Sequence, residues 1–364
     1  MTRQTRRRAA LLGVGVALVL VGCAGPSGAP PPGAGGPSGA VGAGAVDTVT
    51  VTNCGAPAQF PAPARRMFVN DTNMISMVLA LGANDQVTAV SSLRDDGAAA
   101  LRRHYGGAVD ALKVVSPENP ALETVLANRP DVVVAGWNYG YSAATALNPD
   151  RLRATGIAPY VLTESCLQHA GSGVRGIVEP WTALRDDLAN LGAITGRQQR
   201  ADAAELNADI DRRLAALRAA PPPPRPVTVF LFDSATETVF TSGRFGGPEA
   251  IITAAGARSA TTDVADTWTR VSWERVVANK PDVFAFVDYA GQTYADKLAL
   301  LKSRDGVRDS PAVTQGRFIN LPYPLWTSGP LNIDAAEELR VALEGWDLAP
   351  PSGIKPPVDD RLDN

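Results

Sequence analysis

The chain has 364 residues, 45% of them hydrophobic, 20% charged and 6% aromatic, with 34 Lys+Arg against 37 Asp+Glu for a formal net charge of −3. That length predicts two domains, each able to bury its own core, and that charge argues against nucleic-acid binding, which needs a clear positive excess on one face. Two histidines, His104 and His169, are too few for a His-rich zinc or iron centre, and no apolar run reaches the roughly 18–20 residues that a bilayer demands.

Residues 1–22 read as a signal peptide, because Arg3, Arg6, Arg7 and Arg8 precede the apolar stretch 9–22. A basic segment before a short apolar run directs export and is too short to span. The run closes on Leu20-Val21-Gly22-Cys23, which resembles the bacterial lipobox; the resemblance implies cleavage before Cys23 and acylation of its thiol, with palmitate as the expected acyl group. Residues 23–46 are then a lipidated cysteine and a Gly/Ala/Pro/Ser tether, too poor in apolar side chains to order itself. A protein built this way is expected on the outer face of the cytoplasmic membrane. Cys54 and Cys166 remain as an even pair in an oxidising compartment, which favours a disulfide over two buried thiols.

The fold class read from the remainder is α/β, with two lobes of parallel sheet. Strands are predicted at 66–70, 86–91 and 159–163 and a helix at 73–81, all within a first lobe over 47–196. A gap-free internal repeat then aligns residues 120–134 on residues 271–285. Glu123/Glu274, Val125/Val276, Ala127/Ala278, Asn128/Asn279, Pro130/Pro281, Asp131/Asp282 and Val132/Val283 are identical pairs. Each copy reads as a short helix, an Asn-basic-Pro-Asp turn and an apolar strand buried on both faces. Between the copies, Leu184, Leu188, Leu191, Leu206, Ile210, Leu214 and Leu217 recur at helical spacing. Gly192 and Gly196 are expected to break that pattern, leaving one linking helix over 197–220. A second lobe over 221–348 holds predicted strands at 226–232 and 317–321 and helices at 248–255 and 334–344; residues 349–364 read as a polar tail.

An exported lipoprotein with duplicated α/β lobes and a helical connector resembles the class III (cluster A) periplasmic substrate-binding proteins of ABC importers for ferric siderophores, haem and cobalamin. The resemblance rests on Arg65-Arg66-Met-Phe-Val, the two Glu…Pro-Asp modules, Leu191-Gly-Ala-Ile-Thr-Gly196 and Phe240-Thr-Ser-Gly243. Val51-Thr-Asn-Cys-Gly55 and Glu164-Ser-Cys166 are most similar to actinobacterial iron-complex lipoproteins of the ferric-citrate type. It implies two Rossmann-like lobes, no catalysis, a monomer with no covalent cofactor, and a metal complex, here a ferric siderophore, as cargo. It also implies an ABC permease dimer with its ATPase as partner, docked through Glu123 and Glu274.

For the cargo site, the resemblance points to Trp268, six residues before Glu274, where the family's cobalamin binder has a ligand-contacting Trp; the first-lobe equivalent is Pro117. Trp137 follows the first repeat's strand at another ligand-side position. Residues just past the carboxyl ends of parallel strands face ligands in open sheets, which adds Tyr139, Tyr141 and Tyr289. Tyr323 and Trp326 follow the last strand, and Arg94 and Arg244 are further cleft candidates. Leu331 stands where many relatives carry Arg, a departure that weakens any case for an anionic cargo. Trp181 and Trp273 lie on helical patterns and read as packing residues. Gly171-Ser-Gly-Val-Arg-Gly176 matches G-x-G-x-x-G but joins no strand to a helix, so it predicts no dinucleotide site. No G-x-S-x-G elbow occurs, and three cysteines are too few for a cluster enzyme. Two further readings stay open: a haem or cobalamin binder of the same fold, and an envelope lipoprotein without small-molecule cargo.

Overall fold

Runs of β-branched residues alternating with short helices can bury both faces of a strand only in parallel sheets, and two such sheets form. The computed structural model describes residues 47–197, 202–289 and 291–362. The first lobe opens with an antiparallel hairpin of β1 (Thr48–Asn53) and β2 (Ala56–Pro61). Its turn is Cys54-Gly55, with φ of +50° and +75°, the left-handed pair that a two-residue hairpin favours. Next come β3 (Met67–Asn70), α1 (Thr72–Ala80), β4 (Val87–Ser91), α2 (Asp95–Tyr105), β5 (Val114–Ser116) and α3 (Leu122–Ala127). Then follow β6 (Val132–Trp137), β7 (Gly140–Tyr141), α4 (Pro149–Ala154) and β8 (Ala158–Val161). Strands β5, β4, β3, β6 and β8 lie side by side in that order, all parallel.

Two helices lead onward, α5 (Pro180–Thr195) and α6 (Asp202–Ala219). α6 falls within the linking helix expected over 197–220, and α5 precedes it, running through Gly192, one of the two expected breaks. Gly192 lies buried inside α5, where burial of Leu184, Leu188, Leu191 and Ile194 outweighs the roughly 1 kcal/mol that a helical glycine costs. Only Gly196 acts as a stop, taking the left-handed conformation that caps α5. Residues 198–201, within the expected helix, lie outside the described residues.

The second lobe contains β9 (Thr228–Phe232), β10 (Ser234–Ala235), β11 (Val239–Ser242), α7 (Gly247–Ala254), β12 (Arg258–Ser259), β13 (Trp268–Val271) and α8 (Trp273–Asn279). After these come β14 (Val283–Asp288), α9 (Tyr294–Ser303), α10 (Pro311–Thr314), β15 (Phe318–Pro322), α11 (Tyr323–Trp326) and α12 (Asn332–Gly345). Its main sheet is parallel, ordered β12-β9-β14-β15, and β10, β11 and β13 form a small antiparallel ribbon beside it.

The internal repeat has a structural reason. In each lobe the turn residue before the Pro-Asp pair is left-handed, Arg129 at φ +46° and Lys280 at φ +43°. That turn delivers an aspartate to the start of the neighbouring central strand. Asp131 accepts hydrogen bonds from the Arg65 and Arg66 amides at 2.8 and 3.0 Å, just before β3, and Asp282 accepts from the Thr228 amide at 2.8 Å, where β9 starts. The same carboxylate pins strand register in both lobes.

The segment after α12 is not a free tail. Asp360 is fully buried, its carboxylate 2.9 Å from His104 Nε2 on α2 and its amide bonded to Glu338 on α12. Leu362 donates its amide to the Asn320 carbonyl of β15, so the polar segment straps first-lobe and second-lobe elements together. No helix among the described residues is long and apolar enough to cross a membrane.

Candidate ligand cleft

A cavity of about 430 Å³ opens between the lobes, within the range that suits a bound small molecule. Its walls are built from the residues that follow strand ends: Asp71 after β3, Ser92 after β4, Pro117 and Glu118 after β5, and Asn138 and Tyr139 after β6. From the second lobe come Asp233 after β9, Tyr289 after β14 and Tyr323 after β15, with Phe240 and Trp268 from the ribbon. Parallel strands point their carboxyl ends to one side, and there the lobes face each other.

Five of the nine predicted ligand residues line this cleft. Trp268 is buried, packs against Phe240 at 5.9 Å between ring centroids, and its indole Nε1 has no hydrogen-bond partner. The Tyr139 hydroxyl is likewise buried and without a partner. Tyr289 and Tyr323 stack at 4.7 Å, and the Arg94 guanidinium lies 4.8 Å over the Tyr289 ring. Pro117, the counterpart of Trp268 in the repeat, lines the opposite wall.

Four predicted residues lie elsewhere. Tyr141 is fully buried and its hydroxyl donates to the Val133 carbonyl at 3.1 Å, because the two-residue β7 turns it inward. Trp326 is also fully buried, with Nε1 donating to the Phe286 carbonyl at 3.0 Å, because α11 begins immediately after β15 and rotates that position into the core. Trp137 packs edge-on against Tyr141 behind the cleft wall. Arg244 is exposed and covers Phe245 at 4.8 Å. Trp181 and Trp273 pack in the core, as their helical spacing predicts.

Sequence reading missed Asp71, Arg175, Asp233, Phe240 and Asp288. Three of these are aspartates at or just past strand ends, and that position was their available signal. Asp71 carries a φ of +73° with ψ of 143°, a conformation that L-residues rarely hold outside functional sites. Its carboxylate accepts from the Thr72 amide at 2.7 Å and from the Tyr323 hydroxyl at 3.2 Å, joining the lobes at the cleft floor. Burial raises its pKa to about 6, against the pull of those two bonds and of Arg94. Arg175 comes from the segment containing the G-x-G-x-x-G match. It is buried and donates to the Trp268 carbonyl at 2.7 Å. Gly176 in that segment has φ +90° and no room for a Cβ, which would meet the Phe245 Cβ at 2.2 Å. The motif therefore serves close packing between lobes.

Glu164 lies next to this seam, 1% exposed, with neither carboxyl oxygen in a hydrogen bond. Burial raises its pKa to about 7, while the Arg175 charge and the nearby amides of Ser328 and Gly247 favour the ionised form. Asn73 Nδ2 donates to the Ser328 carbonyl at 2.9 Å, another bond between lobes.

Cys54 and Cys166 are joined by a disulfide with Cα atoms 5.3 Å apart. It ties the β1–β2 hairpin to the loop after β8. Glu123 and Glu274 stand exposed in the first turns of α3 and α8. Cys23 lies outside the described residues. Neither His104 nor His169 lines the cleft, and no group of three or more His, Cys, Asp or Glu able to hold a metal occurs among the described residues.

A model of the periplasmic binding protein family matches residues 69–325. The chain belongs to that family. Comparison with curated protein sequences finds no match. Among solved structures, a periplasmic binding protein from Veillonella parvula is similar at TM-score 0.67 and 22% identity, covering 82% of this chain and 98% of that one. An ABC-type Fe3+-hydroxamate transport protein from Saccharomonospora viridis is similar at TM-score 0.63 and 21% identity, covering 81% and 98%. A periplasmic haem-binding protein from Vibrio cholerae is similar at TM-score 0.58 and 18% identity, covering 76% and 98%. At such identities these structures share the fold with this periplasmic binding protein. The family is one of solute binders, not enzymes.

Proposed function

We propose that this periplasmic binding protein is the lipid-anchored receptor of an ABC importer, capturing a ferric siderophore between its lobes and delivering it to a permease. The observation that carries this reading is the cleft itself. Trp268, Phe240, Tyr139, Tyr289 and Tyr323 converge from both lobes on one cavity at the strand ends. Aromatic faces of that kind bind bulky, rigid complexes by stacking and dispersion, and nothing in the cleft calls for a chemical step. Acylation at Cys23 would hold the receptor near its permease, and Glu123 and Glu274 would present matched negative charges to the two halves of a dimer. Cobalamin is the second reading, supported by the placement of Trp268 in the cleft. Tryptophan-fluorescence titration with ferric siderophores, haem and cobalamin tests the reading. Saturable quenching by a ferric siderophore is expected, and failure of all three ligand classes to bind would overturn it.

A further inference from the structure

The charges around the cleft say which complexes it takes. Three arginines line it, and each is already engaged. Arg94 forms a two-pronged bond with Glu118, its Nη2 at 2.8 and 2.9 Å from the carboxylate oxygens. Arg103 lies 3.7 Å from the buried Asp360 carboxylate. Arg175 is buried and donates to the Trp268 and Trp137 carbonyls at 2.7 and 3.4 Å, with its Nε 4.0 Å from Asp266 and in no hydrogen bond.

The cleft carboxylates are placed differently. Asp71, Asp233 and Asp288 stand at or just past the ends of β3, β9 and β14, and none is in an ion pair among the described residues. Asp71 is satisfied by the Thr72 amide and the Tyr323 hydroxyl, both neutral donors. The Arg270 charge acts on Asp233, and the Lys297 ammonium acts on both Asp233 and Asp288. Lys297 is buried, does not line the cleft and is bonded to the Val287 carbonyl. Neither cation lines the cleft, whereas both carboxylates do, and Asp71 adds a third from the opposite lobe.

An anionic chelate entering this slot would find no free guanidinium and would meet like charge in a partly desolvated site, where repulsion is stronger than in bulk water. A chelate carrying a pendant ammonium would find carboxylates ready to receive it. We propose that the cleft selects cationic ferric chelates, such as tris-hydroxamates bearing a free ammonium group, over anionic ones, with Asp233 and Asp288 reading the positive charge. This rests on the siderophore reading above, and runs against the ferric-citrate resemblance of the sequence, since ferric citrate is anionic.

The experiment is fluorescence titration of the purified protein with ferrioxamine B (cationic), ferrichrome (neutral) and ferric dicitrate (anionic). The cationic complex should bind at least about tenfold tighter than the anionic one, and added salt should narrow that gap. Asp288→Asn, alone and with Asp233→Asn, should shrink the ratio of ferrioxamine B to ferrichrome affinity at least about fivefold. Asp288 is only half-buried, so its single variant carries the test if the double variant does not fold. Ferric dicitrate binding as tightly as ferrioxamine B, or an unchanged affinity ratio in the variant, overturns the charge assignment and leaves the siderophore reading standing. Binding of none of the three overturns both.

Discussion

Removing the disulfide gives a sharp test of how this periplasmic binding protein is held together. Cys54 and Cys166 are separated by 112 positions. A cross-link closing a loop of 112 residues removes about 16 cal/mol/K from the unfolded chain, or about 5 kcal/mol at 25 °C, in the chain-entropy account. Unfolding entropy near 60 °C is about 2.1 cal/mol/K per residue. Spread over the compact body Val46–Asn364, a loss of that size lowers Tm by about 7 °C if the body melts as one unit. Cys54→Ser with Cys166→Ser should therefore melt about 7 °C below wild type in calorimetry, as should wild type held under reductant. The hairpin has other ties: Asn190 Nδ2 donates to the Thr52 carbonyl at 2.9 Å, and Phe60 of β2 is buried against Tyr160. Asn53 bonds the Val161 carbonyl through Nδ2 at 2.7 Å and receives the Val161 amide at 3.0 Å. A double-serine variant melting within about 1 °C of wild type would show that these non-covalent ties fix the hairpin and that loop closure contributes nothing.

Trp268→Ala should weaken cargo binding at least about fivefold, the effect of losing a contact of about 1–3 kcal/mol, whereas Trp326→Ala should lower Tm, because that ring is wholly within the core; calorimetric titration and thermal melts separate the two. Burial raises the Glu164 pKa from 4.5 to about 7, so the folded state keeps a proton that the unfolded chain releases. Stability from this group is full below about pH 4.5 and is lost as pH rises through about 7. Glu164→Gln should therefore flatten the fall of Tm between those pH values, and parallel profiles for variant and wild type would refute the assignment. Glu123→Arg with Glu274→Arg should leave cargo affinity within about twofold while abolishing uptake, since exposed charges set docking register and rate more than stability. Normal transport by that variant would place docking elsewhere.

Much of the fold was legible because parallel strands leave an unambiguous trace. Val132-Val-Val-Ala135 and Val283-Phe-Ala-Phe-Val287 are apolar on both faces, and only a strand covered on both sides tolerates that. The repeat was legible for a related reason, since Asp131 and Asp282 both receive the amides of a neighbouring strand. What stayed hidden depends on contacts distant in sequence. Strand β13, Thr-Arg flanked by Trp268 and Val271, has no long apolar run and gains its place by pairing with β11. The tail reads as polar, yet Asp360 is buried because His104 and Glu338 await it 256 and 22 positions away. Gly192 taken alone reads as a stop, because glycine's propensity carries no trace of the core that α5 covers.

The site divides along the same line. Position relative to a strand end located Tyr139, Tyr289 and Tyr323, because that rule depends only on local chain direction. It failed at Tyr141 and Trp326, each two or three residues farther along, where a new element had already begun and turned the side chain inward. The aspartates were overlooked because a lone Asp after a strand usually caps a helix, and Asp71 does cap α1 through the Thr72 amide. Capping uses only Oδ1, however, while Oδ2 reaches across to Tyr323 of the other lobe. One carboxylate thus starts a helix, joins the lobes and adds a negative charge to the cleft floor. Three simultaneous demands explain why a residue in so strained a backbone position is an aspartate and not a glycine.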